Sequence, residues 1–413
     1  MSTPTATLLA EIAEIGRDEV RGGVTRPGLG SAEIALRDWF IEHARARGLE
    51  VEIDRNGLTW AWWLPVDGSR DGAVATGSHL DSVPGGGALD GPLGVAGALR
   101  ALDVLRTRHA HPPRPLALVV FCEEEGSRFG LPCLGSRLMT GAVAPERVRG
   151  LRDAHGVTFS SAARDAGIDP DGIGEDPEAL AHLAAFVELH VEQGRGLQDL
   201  GRPVAIAGSI LAHGRWQVTL TGAGDHAGTT RMADRHDPVV VLAGIVRAVR
   251  QAARSWPDAR GTVGRVEVVP GGTNVIASRA RAWIDLRHAS DDVVRSMLAT
   301  ILSDAAREAE SEGCSLAVTE ESFTPAVAFD TRLAARLRSV LPDAPVLDTG
   351  AGHDAGILAA RVQTAMLFAR NPTGTSHAPA ESCTDEDAEA GAVALADVLD
   401  DLLARPLDAP GPS

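Results

Sequence analysis

Apolar residues along this chain follow two rhythms. Unbroken short runs occur at Ala73–Ser78 (A-V-A-T-G-S), Leu116–Phe121 (L-A-L-V-V-F), Ala185–Leu189 (A-F-V-E-L) and Thr364–Phe368 (T-A-M-L-F). Runs of that length and composition predict strands covered on both faces, as in a parallel sheet. Arg215–Thr221, Gly264–Val269 and Ala280–Leu286 alternate instead, as strands with one face in water do. Helical spacing covers Leu8–Ile15, Ser31–Arg47, Gly94–Arg106, Pro238–Ser255, Ser290–Glu312 and Asp385–Leu403, and Ser31 is a natural N-cap. Leu49–Ile53 and Thr59–Leu64 flank the turn D-R-N-G and read as a hairpin.

The two rhythms are segregated. Alternating strands and two amphipathic helices fill one block, Ala212 to about Ser322, in the order strand, helix, strand, strand, helix, strand. That order predicts an α+β sandwich inserted into a larger α/β domain. The expected architecture is a catalytic domain with a central mixed sheet flanked by helices, made of residues 1–211 and 323–413. Residues 212–322 form the inserted domain, and Pro406–Ser413 reads as a loose tail. A chain of 413 residues suits such a division.

Composition narrows the chemistry. There is no Lys and no Tyr, so all 39 basic residues are Arg, which removes Schiff-base and Walker A chemistry. A net charge of −17 argues against nucleic acid and anionic membranes as partners. No apolar run reaches the length of a membrane span, and the N-terminus lacks the pattern of a secretory signal. Four scattered cysteines form neither a disulfide framework nor a zinc-finger pattern, and a cytoplasmic location is expected.

Each of the four buried runs leads into potential metal ligands. The first ends at His79, and a glycine-rich loop brings Asp90 back eleven residues later. The second runs into Glu123-Glu124-Glu125, three carboxylates whose burial is costly unless something positive compensates them. The third delivers His190 and then Glu192-Gln193-Gly194, and the fourth leads into a loop holding His377 and Glu381. Ligands gather at the carboxyl ends of strands in open α/β sheets. His79, Asp90, Glu125, His190 and His377 would serve two divalent ions that share one carboxylate. The imidazole–carboxylate mixture suits Zn²⁺, with Mn²⁺, Co²⁺ or Ni²⁺ compatible. Glu124, beside a ligand, is placed to act as general base in metal-assisted hydrolysis of a C–N bond. Other candidates fall away: His109-Ala110-His111 closes a helix ahead of Pro112-Pro113, Asp165–Pro177 lacks EF-hand spacing, and no G-x-S-x-G elbow is present.

The motifs G-S-H-L-D-S-V, G-G-G-A-L-D-G, E-E-E-G-S-R-F, E-L-H-V-E-Q-G, D-H-A-G-T-T, G-G-T-N-V-I-A, D-L-R, G-A-G-H-D-A and S-H-A-P-A-E occur in that order. Together they resemble the M20 metallopeptidase clan, in its amidase/ureidase branch, over nearly the whole chain. That branch holds N-carbamoyl-L-amino acid hydrolases, allantoate amidohydrolases and β-ureidopropionases. The resemblance implies that Asp90 bridges the ions, that His79, His190, Glu125 and His377 complete their shells, and that Glu124 is the base. It implies a small ureido-acid substrate, with Gln193, His226, Asn274, Arg287, Gly352 and His353 as substrate residues and Arg287 clamping the carboxylate. It also implies that the inserted domain is a lid and forms a homodimer, with hinges near Ala212 and Ser322. The leading expectation is N-carbamoyl-L-amino acid hydrolysis, then allantoate, then N-carbamoyl-β-alanine. The E-E-E-G-S-R-F and H-A-G-T-T wording disfavours an aminoacylase or dipeptidase. The intact ligand set and Glu124 disfavour a non-catalytic metal-binding protein. One departure is Arg231, where the resemblance leads one to expect Pro.

Overall fold

The computed structural model describes residues 3–407, so most of the expected C-terminal tail lies outside the described residues. The chain divides into two compact units, one of residues 1–208 and 328–413, the other Ser209–Val327.

In the first unit, β1 (Glu50–Ile53), β2 (Thr59–Trp63), β3 (Ala73–His79), β4 (Leu116–Phe121), β5 (Leu183–Val191) and β6 (Val204–Ile210) share a sheet. In the second, β7 (Ala212–Thr221), β8 (Asp225–His226), β9 (Arg260–Val269), β10 (Val275–Ile276), β11 (Arg279–His288) and β12 (Ser315–Thr324) follow. The chain then adds β13 (Val327–Ala328), β14 (Val346–Thr349) and β15 (Gln363–Ala369) to the first sheet. Its order is β1-β2-β4-β3-β5-β15-β6-β13, with β14 paired to β6. The middle four strands are mutually parallel. The hairpin β1–β2 and strand β6 extend this core antiparallel, which makes the sheet mixed. β3, β4 and β15 are buried at every residue, as their continuous apolar runs require.

Parallel pairing decides where the chemistry sits. His79 pairs with Phe121, immediately before the acidic run, and His190 pairs with Phe368. All four carboxyl ends therefore open on one edge of the sheet. Helix Pro92–Arg108, with Pro at its first turn, packs on β3 and β5 and against the closing helix Asp385–Ala404. Leu99, Leu102, Leu189, Leu367, Leu395 and Leu399 are among the side chains that make this core.

The second unit has a core of its own. Its sheet has the antiparallel order β12-β7-β11-β9. β7 and β11 alternate buried residues with half-buried or exposed ones along most of their length, as the period-two pattern predicts. Trp216, Val218, Leu220, Ile284 and Leu286 point inward to meet Ile245 and Val249 of helix Pro238–Arg254 and Met297 and Ile301 of helix Asp291–Ser311. β12 is mostly exposed.

Several elements exceed their expected bounds by two or three residues. β5 spans Leu183–Val191 rather than Ala185–Leu189, which puts His190 inside the strand. β6 and helix Thr331–Val340 have no counterpart in the sequence reading.

Candidate metal centre

His79 is the last residue of β3 and His190 the penultimate residue of β5, so both rings are fixed by strand backbone. Nδ1 of His190 faces the Val191 carbonyl at 2.9 Å, and Nδ1 of His79 faces the Asp81 carbonyl at 3.1 Å. A carbonyl only accepts, so each neutral ring carries its proton on Nδ1 and turns the lone pair of Nε2 inward. Both lone pairs meet the same atom: Asp90 Oδ1 lies 3.2 Å from His190 Nε2 and 3.6 Å from His79 Nε2. His190 Nε2 is buried without a hydrogen-bond partner. Two imidazole lone pairs and a carboxylate oxygen converging in a buried space repel one another unless a cation, or added protons, stands between them.

The other oxygen of Asp90 faces a second group. Asp90 Oδ2 lies 3.4 Å and Glu125 Oε2 3.3 Å from His377 Nε2. Glu125 Oε1 is buried and unpartnered. The sets His79–Asp90–His190 and Asp90–Glu125–His377 each have the spacing needed to hold an ion. Orphaned donor atoms, tautomers and charge all fit two divalent cations sharing Asp90. Glu124 is buried beside them, with Oε2 3.7 Å from His79 Nε2 and Oε1 accepting from the Cys133 thiol at 3.3 Å.

The loops are shaped to these groups. Gly91 has φ +82°, and a Cβ there would fall 2.6 Å from the His79 ring, so the Asp90 loop can turn under the imidazole only with glycine. Asp81 accepts the Glu124 N–H on one oxygen and the Glu125 N–H on the other, both at 3.1 Å. It thus ties the acidic turn to the end of β3. Glu123, at φ +53°, turns away from the ligands and accepts the N–H groups of Arg128 and Phe129. Glu188 accepts from Ser78 Oγ and from the Ala355 N–H, and with His190 and His353 it forms a further buried candidate group. Asp81, Glu188 and Asp354 are not among the residues expected from the sequence. The one signal for Asp81 was its place two residues after His79 in H-L-D.

Burial sets the electrostatics of the site. Burial raises Glu124 well above the usual carboxylate range, with Asp354 and Glu125 adding to it against the pull of His79. Burial, then Asp90, raises Glu125 to about 8, and burial with Glu188 raises Asp354 to about 8. Asp90 is opposite: burial works against its charge, but His190 and His79 hold it well below its usual value. Burial, then His190, pushes His353 far down. Bound divalent ions would draw the raised carboxylates back to the charged form.

The expected substrate residues divide between the two units. Gln193 donates to Asp90 Oδ2 at 2.8 Å, so it touches the centre. His353 is buried with its ring 4.5 Å from that of His190, and Nε2 lacks a partner. Gly352 is exposed just before it. In the second unit, the ribbon of β8 and β10 places His226 opposite Val275, next to Asn274, and the Asn274 carbonyl accepts the Ala227 N–H. The Gly228 N–H donates to His226 Nδ1, leaving the proton of the neutral ring on Nε2. Arg287 sits on the four-stranded sheet, on β11. Its guanidinium fork holds Asp285 at 2.8 and 3.0 Å. Arg231 is exposed at the start of a short 3₁₀ turn.

Fold and site together define a class: an α/β metallohydrolase architecture in which one carboxylate joins two His/carboxylate groups at the carboxyl edge of a parallel sheet. The chain belongs to Peptidase family M20/M25/M40, whose description matches residues 75–401. It is 35% identical over 400 residues to an N-carbamoyl-L-amino acid amidohydrolase of Geobacillus stearothermophilus, covering 94% of this chain and 95% of that one. It is also 35% identical over 390 residues to an allantoate amidohydrolase of Bacillus subtilis (strain 168), covering 92% of each. The crystal structure of an amidase of the hydantoinase/carbamoylase family from Burkholderia multivorans superposes with a TM-score of 0.88 at 30% identity, covering 98% of each chain.

Proposed function

We propose that the protein is an amidohydrolase of linear C–N bonds whose substrate is an N-carbamoyl-L-amino acid, converted with water to the L-amino acid, CO₂ and ammonia. The observation that carries this reading is Asp90, whose two oxygens face separate ligand groups beside the buried Glu124. The named activities of the similar proteins support the same bond type.

His79, Asp90 and His190 would hold one ion, and Asp90, Glu125 and His377 the other; when bound, such ions supply an acidified water and polarise a carbonyl. Glu124 takes the water proton on the oxygen facing His79 and passes it to the departing nitrogen. Its other oxygen stays fixed by Cys133. Gln193, the backbone at Gly352 and His353 would hold the ureido group. Arg287 would clamp the carboxylate, exchanging or sharing its present partner Asp285. His226, donating from Nε2, and Asn274 would bind the substrate from the second unit. That unit would serve as lid and dimer interface, and the protein would work as a cytoplasmic homodimer on Zn²⁺ or Mn²⁺.

Allantoate is the second reading, because the Bacillus subtilis relative is as similar as the carbamoyl hydrolase. Product analysis tests the bond assignment. Equal amounts of ammonia and free amino acid from an N-carbamoyl-L-amino acid support it. Cleavage confined to acyl-amino acids or dipeptides refutes it.

A further inference from the structure

The two ligand groups differ in what holds them. His79 and His190 are strand residues, wholly buried. His377 instead lies in the loop between β15 and the closing helix, with φ +57° and a side chain 49% exposed. A ligand on such a loop is only as well placed as the loop's anchors.

Beside His377 the Ser376 hydroxyl donates to Asp90 Oδ2 at 3.4 Å, and two further anchors hold the loop at its ends. At the base, the Asn371 amide donates to the carbonyls of Glu192 and Thr375 at 3.1 and 2.8 Å, pinning the loop to the end of β5. At the far end, one turn after His377, Glu381 reaches across to the Asp90 loop. Its Oε2 accepts the N–H of Leu89 at 3.1 Å and that of Asp90 at 3.0 Å, a link spanning 291 residues of sequence. Glu381 is 8% exposed, and its Oε1 is buried and unpartnered. Gly87 makes room for it, since a Cβ there would fall 2.0 Å from Oε2. The acid that carries His377's loop therefore grips the backbone of the shared ligand itself.

We propose that Glu381 is a positioning residue that locks the His377 loop onto Asp90 and thereby sets affinity at the second metal position selectively, an inference that rests on the two-metal reading above. Without this link His377 keeps its chemistry but loses its fixed distance to Asp90 and Glu125. The first position keeps both its histidines on the sheet. Residues that orient ligands in this way commonly change metal affinity about 10- to 100-fold when removed.

The test is titration of metal-stripped protein with Zn²⁺ and with Mn²⁺, read by calorimetry and by elemental analysis after dialysis. Wild type should bind two ions. Glu381→Ala should bind the first with affinity within about two-fold of wild type and the second roughly 10- to 100-fold more weakly. Glu381→Gln keeps a carbonyl oxygen to accept both N–H groups and should restore the second affinity to within a few-fold. If the Ala variant does not fold, Glu381→Asp, one methylene too short to reach, carries the same expectation. Two ions bound by wild type and by Glu381→Ala with equal affinities would overturn the proposal while leaving the two-metal reading in place. Equal weakening at both positions would also overturn it. Fewer than two ions in wild type would overturn the two-metal reading and the proposal with it.

Discussion

Glu124 has its oxygens in two settings, one held by a thiol and one facing His79 Nε2. Replacing it with Gln keeps the shape and removes the proton acceptor. Glu124→Gln is expected to lower kcat by at least about 100-fold with metal content unchanged, measured as ammonia release beside elemental analysis. Asp90→Asn acts elsewhere: losing the charge shared by both groups should lower the bound metal from two ions to one or fewer. Arg287→Ala should raise KM about 10- to 100-fold at unchanged metal content if Arg287 clamps the substrate carboxylate as proposed. An unchanged KM would remove Arg287 from the substrate. The candidate ligand types are visible residue by residue, since His79, Glu125 and His190 stand at the ends of apolar runs and Asp90 in a glycine-rich loop. The residues that orient them were not. Asp81 and Glu188 act through backbone N–H groups and a serine hydroxyl, contacts that depend on folded geometry; only the H-L-D spacing after His79 marks Asp81, and nothing marks Glu188.

At the scale of elements, the four parallel strands were readable because burial on both faces forces an apolar run. β6, V-A-I-A-G-S-I behind the turn Gly201-Arg202-Pro203, is as apolar as the run of β3, so nothing in its composition hides it. Helix Thr331–Val340 is rich in Arg, and its apolar face is narrow enough to pass for a loop. The Asp90 loop illustrates how an element limits a residue. Gly91→Ala would place a side chain against the His79 ring at a backbone conformation that L-residues rarely adopt. This variant is expected to lose stability, seen as a lower melting temperature, and to bind the first ion more weakly than the second. Calorimetric titration separates that pattern from the reverse one expected of Glu381→Ala.

For the whole molecule, buried acids make stability depend on pH when metal is absent. Burial chiefly raises Glu33 to about 7, Glu123 and Asp354 to about 8, Glu125 to about 8 and Glu381 to about 7. Each keeps in the fold a proton that the unfolded chain would release at about pH 4 to 4.5. Their contribution is therefore full below that pH and is lost as pH rises through about 8. The melting temperature of metal-stripped protein is expected to fall by several degrees between about pH 5 and 8.5, and excess Zn²⁺ or Mn²⁺ to restore most at the alkaline end. A melting temperature rising over that range would contradict this. Asp90, held low by His190 and His79, works the other way and loses its contribution only in more acidic solution. The separate core of Ser209–Val327 was legible as a change of period from unbroken runs to alternation.

The measurement that bears most directly on the central claim is ammonia release by Zn²⁺- or Mn²⁺-loaded wild type and Glu124→Gln on a panel of ureido acids. The panel holds N-carbamoyl-L-amino acids, N-carbamoyl-β-alanine and allantoate. The account predicts metal-dependent ammonia release from N-carbamoyl-L-amino acids, lost in the variant. No ammonia from any ureido acid, or release unchanged by Glu124→Gln, would contradict it.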